Sequence, residues 1–226
     1  MKNREWMEKV AADLQGLSNY AAVKDRLAVK LTGRAGNEEI LEKLPHHDME
    51  DMAVIYKIRI YGDACKTALA AVTNTMLKQY GLTAEQLHRD AVEAASAHQP
   101  YVIRTMAETL NELCGCTWKQ EDAVPMYVAT NKERMNGASV LVYPDFMETA
   151  AERLRDSFYV LPSSIHEVIL LPEKLGHDIQ ELQAMVRNIN ADIVAPEDRL
   201  SNSVYHYDRK EHLFELADKY KMRMRS

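Results

Sequence analysis

The chain has 226 residues, 46% of them apolar and 27% charged, which is ordinary globular composition with room for one large domain or two small ones. A net charge of −6 argues against a domain built to grip a phosphate backbone, so no nucleic-acid partner is expected. No stretch approaches the roughly 20 apolar residues of a membrane span, and the one basic run, "KYKMRMRS", reads as a solvated terminus.

The first forty-odd residues read as helical. Trp6, Val10, Leu14 and Leu17 recur at near-helical spacing, and Asn37 caps a second helix over Ile40, Leu41 and Leu44 that Pro45 stops. At "MAVIYKIRIY" the period changes to two. Met52, Val54, Tyr56, Ile58 and Ile60 form one face of a strand, "YGD" turns, and "KTALAAV" returns. "TMLKQY" is a short helix ended by Gly81. Thr83 and Gln86 have capping-box spacing for a helix from about Ala84 to Ala97, and Thr105 and Glu108 repeat it for a helix closing at Gly115.

"TWKQEDAVP" reads as a linker, which suggests a helix-rich α+β part over 1–120 with a short sheet and an antiparallel sheet with helices over 121–226, or one continuous domain. In the second part, "MYVAT" and "ASVLVY" read as strands joined by an Asn136-Gly137 hairpin turn. Pro144 suits the start of a helix carrying Phe146, Met147, Ala150, Ala151 and Leu154 on one face, with Asp145 in front and Arg153 and Arg155 behind. Two strand runs flank "PSS". Asp178 caps a helix with Ile179, Leu182, Val186 and Ile189 on one face, and "SVYHYD" and "HLFELA" form a last hairpin around "RKE". The order strand, turn, strand, helix occurs over both 52–80 and 126–155, as a duplication or as a common way to make α+β layers. The fold class expected is α+β: antiparallel sheets flanked by amphipathic helices, with a helix-rich N-terminal part.

Several segments carry a resemblance. "MYVATN", "NGASVLVYPDF", "FYVLPSSIHEVILLPE" and "APEDRLSNSVYHYD", with "LEKLPHHDMEDMAVIYKI" and "YGLTAEQL" upstream, resemble an uncharacterised bacterial family, domain of unknown function 5688, from about residue 24 onward. A fainter likeness, through "YGLTAEQLHRDA" and "GASVLVYPDF", is to domain of unknown function 1444. Neither resemblance implies a reaction, a cofactor or a catalytic residue.

The segment "YVLPSSIHEVILLPE" holds the catalytic candidates Ser163, Ser164, His166 and Glu167. In an extended chain Ser164 and His166 share one face, and Ser163 and Glu167 the other. Same-face neighbours in a strand stand parallel, too far apart for a serine and its base to meet. No Gly-x-Ser-x-Gly elbow is present. The turn therefore reads as hydroxyls bonding nearby amides. Glu167 among Ile165, Ile169 and Leu171 needs a partner: solvent at the sheet end, an arginine or loop amides, or His166 in a pocket. Tyr127, Tyr143, Tyr159, Tyr205 and Tyr207 suit strands, or line a groove with Asn136, Gly137 and the "PSS" turn.

No metal and no cofactor are expected. Cys114-Gly-Cys116 lacks a second ligand pair, His46-His47 sit in a loop after Pro45, and His206 and His212, which cross-strand pairing could bring together, have no third ligand. Three cysteines (Cys65, Cys114, Cys116) without framework spacing, and an N-terminus without an apolar signal core, point to the cytoplasm. The role expected is a non-enzymatic interaction or regulatory module whose partner is a protein. The alternative is a hydrolase-like small-molecule enzyme using His166 and Glu167 as general acid and base.

Overall fold

The structure, a computed structural model, describes residues 16–60, 68–115, 117, 125–162 and 164–225. It is an α+β fold with two antiparallel sheets. In chain order come α1 (Tyr20–Val23), β1 (Leu27–Gly33), α2 (Glu38–Leu41), β2 (His46–Met49), β3 (Met52–Ile60) and β4 (Ala68–Ala71). Then follow α3 (Asn74–Tyr80), α4 (Ala84–His98), β5 (Tyr101–Thr105), α5 (Met106–Cys114) and β6 (Tyr127–Asn131). The rest is α6 (Phe146–Leu154), β7 (Phe158–Leu161), β8 (Val168–Pro172), α7 (Ile179–Asp192), β9 (Tyr205–Asp208), β10 (Leu213–Leu216) and α8 (Ala217–Arg223).

The nine-residue β3 organises the smaller sheet, ordered β1-β3-β2 with β4 also paired to β3. Its alternation places Met52, Val54, Tyr56 and Ile58 in the main core, while Ala53 and Ile55 pack with Leu41 and Leu44 on the other side. The larger sheet runs β10-β9-β7-β8-β6-β5. Phe158, Val160, Val168, Leu170, Tyr205 and Tyr207 give one of its faces to the main core, which also takes Leu87, Ala91 and Ala95 of α4 and Phe146, Ala150 and Leu154 of α6. The other face, through Tyr159, Leu161 and Leu171, packs on Ile179, Leu182 and Val186 of α7 and Ala217 of α8. Burying each Val, Leu, Ile or Phe among them contributes about 1.5–3 kcal/mol before entropy is counted.

The helix termini follow their sequence signals. Thr105 and Glu108 make both bonds of a capping box, Thr105 Oγ1 accepting the Glu108 N–H at 3.1 Å and Glu108 Oε2 accepting the Thr105 N–H at 2.7 Å. Thr83 Oγ1 accepts the Gln86 N–H at 3.2 Å. Gly81 and Gly115 end α3 and α5 in the left-handed conformation.

Several expectations are corrected. Residues 27–33 are a strand, not part of a helical N-terminus; "LAVKLTG" is buried along most of its length, and a strand covered on both faces shows no alternation to read. The helix after Asn37 is a single turn that ends at Leu41, and the Asn37 side chain bonds Gly33 O instead of capping it. His46 and His47 lie in β2 rather than in a loop. β5 had no sequence reading at all.

The hairpin at Asn136-Gly137 does not form. Asn136 is left-handed (φ 51°), but Gly137–Val142 is a 3-10 helix packed into the core, so 126–155 does not repeat the order of 52–80. The expected helix through Trp6, Val10 and Leu14, the "YGD" turn, most of the linker, Cys65, Cys116 and Ser163 lie outside the described residues.

Candidate functional site

Between β7 and β8, residues 164–167 form a tight loop whose polar groups hold backbone. The Ser164 N–H donates to Glu167 O at 3.2 Å, and Ser164 Oγ accepts the His166 N–H at 3.0 Å. The Ile165 N–H donates to Asp198 O at 2.8 Å, and Ile165 O accepts the Ala138 N–H at 3.1 Å. His166 O accepts from Thr130 Oγ1 at 2.7 Å. The loop is thus tied to β6, to the 3-10 helix and to the segment before β9.

The His166 ring does the same. Its Nδ1 accepts the Asn136 N–H at 3.2 Å, so the neutral ring carries its proton on Nε2, which lies 3.5 Å from Asp198 Oδ1. Glu167, placed just before β8 rather than within a strand, turns elsewhere. Its side chain borders a recess of about 10 Å³ with Arg104, Thr109, Thr130 and Arg134, and both arginines bond Glu112.

The structure brings Asn136 and Gly137 to His166, keeps Tyr127, Tyr143, Tyr205 and Tyr207 in or against the main core, and sets Tyr159 apart from them. Gly137 lies so close to β6 and the loop that an added Cβ would meet Thr130 Oγ1 at 2.0 Å and His166 O at 2.3 Å. Tyr143 is buried in the main core and Tyr159 in the second core, on opposite faces of the larger sheet. His206 and His212 are not paired across the hairpin: the cross-strand partner of His206 is Glu215, and His212 Nδ1 lies 3.6 Å from Glu148 Oε1.

Two arrangements had no sequence signal. In the first, Asp51, between β2 and β3, accepts hydrogen bonds from Ser201 Oγ and Ser203 Oγ, each at 2.8 Å, and from the Tyr205 hydroxyl. Burial, then the Asp51 carboxylate, raises the Tyr205 pKa far above the usual tyrosine range. Beside this clasp opens a cleft of about 780 Å³, walled by residues 33–38, 50–51 and 199–203. Its two arginines are engaged by groups outside the lining: Arg34 pairs with Asp48, and Arg199 donates to Val194 O and Ala191 O. Gly33 closes one corner, where a Cβ would stand 2.4 Å from Leu200 O.

In the second, His206 is fully buried under α8, its ring stacked on Tyr220 with centroids 3.6 Å apart. The Tyr220 hydroxyl donates to Glu173; His206 Nε2 is 3.3 Å from Glu173 Oε2 without the alignment of a hydrogen bond. Arg223 joins Asp208 and Glu215. Burial pushes the imidazole below its ordinary 6.5, against the opposing pull of Glu173, so the ring is neutral at pH 7. Next to it, Tyr159, His177, Asp178, Ile179, Tyr220, Lys221, Met224 and Arg225 line a groove of about 310 Å³.

Among the described residues, no group of three or more His, Cys, Asp or Glu side chains is arranged to hold a metal ion, and no helix is long and apolar enough to cross a membrane. No curated protein and no solved structure matches the chain. The fainter likeness to domain of unknown function 1444 gains no support. The model of the Family of unknown function (DUF5688) matches residues 2–209, and the chain belongs to that family.

Proposed function

We propose that this chain is a non-enzymatic module of the bacterial cytoplasm that acts by binding another protein. One observation carries the reading: the neighbouring side chains His166 and Glu167 face different surroundings, the imidazole Asn136 and Asp198, the carboxylate a recess beside Arg104 and Arg134. A general acid and base must converge on one reacting atom from hydrogen-bond distance. Here the imidazole accepts a backbone N–H and faces Asp198, while the carboxylate faces a recess of about 10 Å³, smaller than any substrate. The hydroxyls beside the large cleft support the same reading, because Ser201 and Ser203 direct their protons to Asp51 and not to an imidazole.

The alternative, a hydrolase-like enzyme using His166 and Glu167, makes a different prediction for the same variants. On the binding reading His166→Ala removes the acceptor of the Asn136 N–H and costs about 1–2 kcal/mol of stability. Neither His166→Ala nor Glu167→Gln alters affinity for a bound partner. Loss of ligand-induced stabilisation in either variant, at an unchanged melting temperature, would contradict the proposal.

A further inference from the structure

Three observations coincide around α8. The groove there has an apolar base, with Tyr159 and Ile179 each 6% exposed, and at its rim the large apolar Met224 is 63% exposed, with Met222 nearby at 70%. Methionine is the side chain best able to adapt to a partner's surface.

The cations of this region fall into two groups. Lys219 is paired with Glu50, and Arg223 with Asp208 and Glu215. Lys221 and Arg225, which line the groove, have no carboxylate partner among the described residues. Asp178, the groove's one acidic residue, uses an oxygen to cap Gln180 N at 2.7 Å. Finally, His177 Nε2 is buried there with no hydrogen-bond partner among the described residues. A buried polar atom left in this state calls for a partner.

We infer that this groove binds a short segment of a partner protein in which a carboxylate side chain lies next to a large apolar one. The inference rests on the binding-module reading and assigns it a surface. The carboxylate pairs with Lys221 and Arg225, an attraction unusual on a chain of net charge −6, and the apolar side chain enters between Tyr159, Ile179 and Met224. The wall of the groove is preformed, since Tyr220 is fixed by its stack on His206 and its bond to Glu173. Two cations without a carboxylate among the described residues are too few for an anionic membrane surface, where clusters of about 4–8 are the rule.

The test is selection of a displayed library of random twelve-residue peptides on the intact chain, followed by fluorescence anisotropy with the enriched peptides. The expected result is enrichment of Asp or Glu beside Leu, Ile or Phe. Affinity should fall at least tenfold in the double variant K221E/R225E, weaken from 50 to 300 mM salt, and stay unchanged in Glu38→Lys, which alters the other cleft. Thermal melting checks that the variants fold, and K221Q/R225Q serves if the charge reversal does not. The inference is overturned by no enrichment, by no acidic preference, by full affinity for the double variant, or by binding to phosphatidylserine vesicles instead of peptides. Peptides that bind but respond only to Glu38→Lys would overturn this surface and leave the binding module standing; the His166 and Glu167 variants test that reading separately.

Discussion

Gly137→Ala is the sharpest test of how the loop before β8 is held. Gly137 has no positive φ, so the substitution brings no backbone strain of the left-handed kind; the cost is space alone. A Cβ there would meet Thr130 Oγ1 at 2.0 Å, His166 O at 2.3 Å and Asn131 N at 2.9 Å, where ordinary contact begins at 3.4 Å. The hydroxyl can rotate away, at the loss of its bond to His166 O, worth about 1 kcal/mol. The carbonyl and amide belong to backbone and cannot.

Moving His166 O by about 1 Å pulls on the Ala138–Ile165 and Ile165–Asp198 bonds and on the ring's contact with Asn136, an overpacking cost near the upper end of about 1–3 kcal/mol. The total is about 4 kcal/mol, read by urea denaturation, or a Tm lower by about 8–16 °C for a chain of this size. Thr130→Ala combined with Gly137→Ala should cost about 1 kcal/mol less than the two separately, since one of the three obstructions is gone. A loss below about 1 kcal/mol in Gly137→Ala would refute the close packing of the 3-10 helix on β6.

Asp51→Ala should cost about 3 kcal/mol, because the fully buried Tyr205 loses the acceptor of its hydroxyl along with two serine bonds. Tyr205→Phe should cost less than half as much, and equal losses in a denaturation series would remove the clasp from the account. The buried His206 sets a pH dependence. Its folded pKa lies below the unfolded 6.5, so as the pH falls through about 6.5 the unfolded chain takes up a proton that the folded chain refuses, and stability declines. His88, also lowered by burial, adds to the same slope. The fall in Tm between pH 7.5 and 5.5 should therefore be reduced, though not abolished, in His206→Phe; an unchanged slope contradicts the assignment.

Local chemistry carried much of the fold into the sequence. Thr105 with Glu108, Thr83, Gly81 and Gly115 mark helix ends because capping depends on residues a few positions apart. β3 was legible because it alternates, and β7 and β8 because a turn separates two apolar runs. β1 was not: burial on both sides leaves no period. At 137–142 a β-rich string and an Asn-Gly pair signal a hairpin, yet the chain turns into a 3-10 helix because Gly137 must fit beneath His166 O and its apolar neighbours fill the core.

The candidate site divides the same way. The hydroxyl of Ser164 bonding an amide two residues on is a local event that sequence reasoning reaches. The tie from Asp51 to Ser201, Ser203 and Tyr205 spans some 150 residues, and no spacing rule connects its ends. That Lys221 and Arg225 have no carboxylate partner among the described residues is likewise visible only once Lys219 and Arg223 have found theirs.

The central claim is that the polar residues between β7 and β8 shape backbone and perform no chemistry. Its most direct test is turnover by the purified chain across chromogenic esters, amides, phosphoesters and glycosides, run beside His166→Ala with both melting temperatures recorded. The account predicts no turnover above the uncatalysed rate by either protein and a lower melting temperature for the variant. Turnover by the parent chain that disappears in His166→Ala, with melting unchanged, would contradict it.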